Sequence, residues 1–129
     1  MVKCTNADRR QCTRYAVNGD IFLAFWPTLD RVGKLKDVSN SGAAFEYPAF
    51  DEKEEVVDVE VDIFASRPSY FMLRRVPCKV VYDIKIEQPT LVGMETRRCG
   101  LRFEHLSQQH NESLKVLLSE YVSHALPVR

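Results

Sequence analysis

The sequence shows no charge imbalance: 18 Lys and Arg are matched by 18 Asp and Glu over 129 residues. Proteins that grip duplex nucleic acid through counterion release carry a basic excess. A nucleic-acid partner is therefore not expected. Long apolar runs are missing as well. No stretch reaches the roughly 20 apolar residues that cross a bilayer, and none precedes Ile21. Neither membrane insertion nor a secretory signal is expected. Cys4, Cys12, Cys78 and Cys99 show no C-x-x-C step and no disulfide-scaffold density. They read as reduced thiols of a cytoplasmic protein, with Cys78 and Cys99 packed in strands. His105, His110 and His124 lack metal-ligand spacing and have no acidic or nucleophilic partners beside them in sequence. No nucleophile, base and oxyanion set is legible. Neither a metal site, a cofactor nor an enzymatic activity is expected. Internal repeats and low-complexity tracts are also absent.

What remains is an ordinary globular composition, 45% apolar and 28% charged, in a length that suits one domain with one core. Positive charge is concentrated locally, because Lys3, Arg9, Arg10 and Arg14 face only Asp8 near the N-terminus. Residues 15–26 are rich in aromatic and β-branched side chains and stop at Pro27, which predicts a strand. Asp30 and Gly33 suggest a turn. Residues 35–39 and 43–47 read as two further strands, separated by Asn40-Ser41-Gly42, where Gly42 can take the positive φ that other residues resist. Residues 51–55 are a charge run expected in a solvated loop.

Val57, Val59, Val61 and Ile63 alternate with Asp58, Glu60 and Asp62, the pattern of a half-buried strand. Residues 70–84 continue extended, with Pro77 marking a bulge, edge or break. Residues 90–94 and 99–103 are weaker strands. The period then changes. Ser107 suits an N-cap, and Leu114, Leu117, Leu118, Tyr121, Val122, Ala125 and Leu126 recur at helical spacing, with Pro127 closing the element. A helix over about 107–126 is predicted. Many short strands followed by one helix imply an all-β fold, a small barrel with a helical lid. Phe25 and Trp26 are expected in its core.

Two motifs flank the first strands. Arg10-Gln-Cys-Thr-Arg14 precedes the first, and Asp37-Val-Ser-Asn-Ser-Gly42 closes the second. In these the sequence resembles the PilZ family, whose ligand site combines an R-x-x-x-R segment with a [D/N]-x-S-x-x-G segment. Gly100-Leu-Arg-Phe103 ahead of a terminal amphipathic helix is similar to the family's last strand and helix. The resemblance covers nearly the whole chain and implies a stand-alone six-stranded antiparallel β-barrel with a C-terminal α-helix over residues 15–129. Residues 1–14 would form a flexible arm.

It also implies cyclic di-GMP as ligand, an effector protein as partner, and output in motility, adhesion or biofilm formation. Arg10 and Arg14 suit that ligand because a guanidinium forks onto phosphate oxygens or guanine O6 and N7, and stacks on a purine face. Asp37 can accept from guanine N1 and N2. Ser39, two residues on, shares its strand face, and Gly42 leaves room for close approach. Relatives with a basic residue at Arg9 take an intercalated ligand pair; a plain surface arginine is the alternative. One or two ligands per chain, and a monomer or weak homodimer, stay open.

Arg98 and Arg102 repeat the R-x-x-x-R spacing and serve as an internal control outside the expected site. Arg102 is expected to be an exposed strand charge. Tyr82 lies where some relatives present an aromatic near the guanine, with packing as the other reading. Two rival functions are a PilZ-like protein-interaction domain that binds no nucleotide and a small β-barrel for single-stranded nucleic acid. The intact motif residues oppose the first, and neutral charge opposes the second.

Overall fold

The computed structural model describes residues 13–49, 54–67, 69–86 and 95–127. Eight strands and one helix follow in the order β1 Tyr15–Val17, β2 Ile21–Trp26, β3 Val32–Val38, β4 Gly42–Ala49, β5 Asp58–Ala65, β6 Phe71–Ile86, β7 Glu95–Phe103, α1 Gln108–Glu120 and β8 Val122–Ala125. Every pairing is antiparallel. β2, β5, β6, β7, β4 and β3 are neighbours in that order, and pairing of β2 with β3 closes a six-stranded barrel. β1 and β8 extend the sheet outside it, beyond β3.

Alternation decides which side chains enter the barrel. In β5 Val61, Ile63 and Ala65 are buried while Asp58 and Glu60 are exposed. Ile21, Leu23, Phe25, Phe45, Leu73 and Leu101 fill the interior from the other strands. α1 supplies Leu114 and Leu117 to that core. Tyr121, directly after it, sits 5.2 Å from the Phe71 ring and donates its hydroxyl to the Ser69 carbonyl. The helix starts as its sequence suggests. Ser107 Oγ accepts from the His110 amide, and the Ser107 amide donates to His110 Nδ1. His110 Nε2 therefore carries the proton and donates to the Arg74 carbonyl at 2.8 Å, tying the helix start to β6.

The arrangement of the elements departs from the sequence expectations in five places. Residues 15–26 form two strands, because Gly19 adopts φ +94° between them. Gly33 belongs to β3 and is not in a turn. The irregularity expected at Pro77 falls instead at Arg75, which takes φ +50° and donates its amide to Asp62 Oδ1 where the β5–β6 register slips. Pro77 stays within β6, its carbonyl accepting from the Glu104 amide. Trp26 is not in the core; it is half-buried under the Arg75 guanidinium, 4.6 Å from the ring centroid.

The fifth departure is the helix end. α1 stops at Glu120, and Val122, Ser123, His124 and Ala125 run as β8 along β1. Tyr121 still closes the last turn through Leu117, but its carbonyl accepts from Asn18. Leu126 donates to the Arg14 carbonyl. Val122 and Ser123 are weak helix formers, so pairing with an open strand edge outweighs helical continuation. The strand expected over residues 90–94, the charge run at 51–53 and residues 1–12 of the arm lie outside the described residues.

Cys78 and Cys99 are buried in strands as expected. Burial, then the nearby Asp83 charge, pushes the Cys99 thiol up to about 12. Burial likewise raises Cys78. A thiol raised on folding leaves stability intact below its unfolded value of about 8.5 and erodes it as pH climbs through the folded value. Thermal melts should therefore weaken steadily above about pH 8.5. Peptide mapping after iodoacetamide treatment at pH 8 should find both cysteines unmodified in the native chain and modified in urea. Native labelling at Cys99 would contradict the assigned burial.

Candidate functional site

The D-x-S-x-x-G segment ends β3, turns and starts β4. Ser39 Oγ accepts from the Ser41 and Gly42 amides at 3.1 and 3.2 Å, and the Ser39 amide donates to the Gly42 carbonyl at 2.9 Å. Ser39 is thus buried as the organiser of the turn. Gly42 is the first residue of β4 and has no positive φ, contrary to the sequence expectation. Its need is space, since a Cβ there would stand 2.1 Å from the Leu101 carbonyl oxygen.

Asp37 is only 4% exposed. A register slip between Leu35 and Asp37 lets Leu35 and Val38 both face the core and turns Asp37 to the outer wall. There it heads a row of cross-strand neighbours, Asp37–Ala44–Gly100–Tyr82, running over β3, β4, β7 and β6. The two middle members are small. A Cβ on Gly100 would lie 2.2 Å from the Tyr82 ring, so glycine lets that ring settle against the wall. The result is a shallow concavity of about 150 Å³ that includes Arg14, Asp37, Ser39, Gly42, Tyr82 and Arg102 in its lining.

Two guanidinium groups meet the buried carboxylate. Arg14 Nη1 lies 3.7 Å from Asp37 Oδ2, and Arg98 Nη2 donates to the same oxygen at 2.6 Å. Arg98 also donates from Nη1 to Glu46 Oε2 at 3.1 Å and from Nε to the Tyr82 hydroxyl at 3.3 Å. Burial disfavours its charge, but Tyr82, Asp37 and Glu46 together more than offset this and push its pKa up. Arg98, expected as a control remote from the site, therefore lies in direct contact with Asp37 and Tyr82. Arg102 is half-buried in the concavity wall, its Nη2 donating to Glu104 at 3.3 Å.

Of the six residues expected to bind ligand, the structure brings Arg14, Asp37, Ser39 and Gly42 together. Arg9 and Arg10 lie outside the described residues. The sequence reading did not place Arg98 beside Asp37, yet a signal existed: on a strand, Arg98, Gly100 and Arg102 share one face.

A larger groove of about 790 Å³ carries Asp30, Glu54, Asp58, Glu60 and Glu104 around Lys79 and Trp26. Its carboxylates would repel a phosphodiester, so the arginine-bearing concavity is the better site for an anionic ligand. Among the described residues no group of three or more His, Cys, Asp or Glu could hold a metal ion. No helix there is long and apolar enough to cross a membrane.

Fold and site together define a small closed β-barrel with an arginine- and carboxylate-bearing site on its outer wall. The chain belongs to the PilZ domain family, whose family model matches residues 8–120. Among solved structures it is similar to the PilZ domain with c-di-GMP of YcgR from Escherichia coli. That match has a TM-score of 0.62 at 13% identity, over 86% of this chain and 90% of the other. Comparison with curated proteins finds no match.

Proposed function

We propose that this chain is a cyclic di-GMP receptor whose N-terminal segment, residues 1–14, closes over the ligand and signals its presence to a partner protein in the cytoplasm. The observation that carries this reading is the convergence of two distant motifs. Arg14 from the first and Asp37, Ser39 and Gly42 from the second line one concavity. The ligand that YcgR's PilZ domain holds has the chemistry this wall would accept. Its phosphates and guanine O6 and N7 suit forked arginine donors from Arg10 and Arg14. Its guanine N1 and N2 donors suit the Asp37 carboxylate. Arg9 would add a third cation for an intercalated ligand pair. No bond need be made or broken in such a role.

The arm offers a route for output. The Arg14 carbonyl is bonded to Leu126, and the β1 strand that follows is paired with β8 directly after α1. Ordering residues 1–14 would bias that β1–β8 edge, giving the differential interaction that any ligand-driven switch requires.

Calorimetric titration with cyclic di-GMP, cyclic di-AMP, GTP and a short oligonucleotide tests the reading. Cyclic di-GMP alone should bind tightly, with one ligand per chain or two if Arg9 supports a pair. Asp37→Ala should weaken binding by roughly tenfold to a hundredfold, the range for a lost charged hydrogen bond near 1.5–3 kcal/mol. Amide exchange at Arg10 and Arg14 should slow when ligand is added. Equal affinity for cyclic di-AMP would sink the guanine assignment.

A further inference from the structure

β7 reaches the site with a residue that neither motif contains. On its outer face Arg98 stands beside Gly100, in the cross-strand row next to the one headed by Asp37. Its guanidinium uses all three nitrogens on three different strands: Asp37 on β3, Glu46 on β4 and Tyr82 on β6. The bond to Asp37 is the shortest of the three. Arg14 approaches the same oxygen only to 3.7 Å, and Lys36 lies 3.9 Å from Glu46. Among the described residues Arg98 is therefore the closest cation to both the buried Asp37 and the partly exposed Glu46, and the one that fixes where the Asp37 carboxylate points.

We propose that Arg98 is a positioning residue for guanine recognition: by clamping Asp37 Oδ2 it presents an oriented carboxylate to the N1 and N2 donors of the base. This deepens the cyclic di-GMP reading given above and rests on it. Guanine offers two parallel donors along one edge, and only a carboxylate held in their plane accepts both. A free Asp37 would rotate and accept one, which lowers affinity and, more tellingly, erases the preference for a base that carries the N2 amino group. In the same geometry Arg98 bridges two like charges, Asp37 on β3 and Glu46 on β4.

The probes are cyclic di-GMP and its inosine analogue, which lacks N2, titrated against the full chain and its Arg98→Gln, Arg98→Lys and Asp37→Ala variants. For wild type, cyclic di-GMP should bind about tenfold or more tighter than the analogue, one charged hydrogen bond's worth. Arg98→Gln should lose about tenfold in cyclic di-GMP affinity and bring the guanine-to-hypoxanthine ratio close to one. Arg98→Lys keeps the charge without the fork and should restore part of the ratio. In an Asp37→Ala background Arg98→Gln should cost nothing further, because it acts through Asp37.

An unchanged ratio in Arg98→Gln overturns the proposal. So does tighter binding, which would make Arg98 a competitor for Asp37. Additive losses in the double variant overturn it too, since Arg98 would then contact the ligand itself. Should circular dichroism show Arg98→Gln to be unfolded, Arg98→Lys decides: a wild-type ratio there overturns the role. If wild type binds no cyclic di-GMP, the receptor reading falls and takes this role with it. If wild type binds and the variants match it, only the role of Arg98 falls.

Discussion

Arg10→Ala and Arg14→Ala are each expected to lower cyclic di-GMP affinity about tenfold to a hundredfold, and the double variant to show almost no binding. A forked guanidinium contact with phosphate or guanine is worth on the order of 1–3 kcal/mol. Two such losses approach or exceed the working range of a titration. The cyclic dinucleotide carries two phosphate charges, and the described site has no surplus cation to replace what is lost. Arg14 and Arg98 already face Asp37, and Arg102 faces Glu104. Arg10→Lys should rescue only in part, because an ammonium preserves charge but can neither fork nor stack. Folding should be unaffected, since Arg14 precedes β1 and its bond to Leu126 uses only the main chain. Full binding by the double variant would place the ligand elsewhere on the barrel.

Much of the barrel was legible because its strands obey local rules. The alternation through Val61 and Ile63 marked β5, and Asn40-Ser41-Gly42 marked the β3–β4 turn. The site motifs were legible for the same reason, being short and contiguous. What escaped depends on contacts distant in sequence. β8 carries a helical spacing of apolar residues, yet it is a strand because β1 offers an edge more than a hundred residues earlier in the chain, a pairing sealed by Ser123 Oγ donating to the Ala16 carbonyl. Arg98 looked like a decoy since its partner Asp37 is 61 residues away. The positive φ expected at Gly42 is absent, and the neighbouring Leu101 carbonyl is what excludes a side chain there.

Asp83→Ala is expected to destabilise the fold by about 3 kcal/mol, more than any surface charge removal. Asp83 is the acceptor of a network that no motif announces. Tyr47 donates its hydroxyl to Oδ2 at 2.6 Å, and Arg97 donates Nε to Oδ1 at 2.9 Å. Arg97 also reaches the Asp83 carbonyl at 2.7 Å. Arg31, only 2% exposed, lies 3.7 Å from Oδ2, packs over the Phe25 ring and donates to the Glu54 carbonyl. Burial, then the hydrogen bond to Asp83, pushes the Tyr47 phenol up, and the Asp83 bond raises Arg97 further. Removing Asp83 leaves a buried guanidinium without its counter-ion and a buried hydroxyl without its acceptor, and both unpaired groups then bear their desolvation cost. Asp83→Asn keeps an acceptor for Tyr47 and should cost less. Asp58→Ala is the comparison, because Asp58 pairs with Lys79 at 2.8 Å in a largely exposed setting. Its loss should stay under about 1 kcal/mol. Urea unfolding with an unchanged slope measures all three. If Asp83→Ala costs no more than Asp58→Ala, the buried network contributes nothing that the apolar core does not already supply.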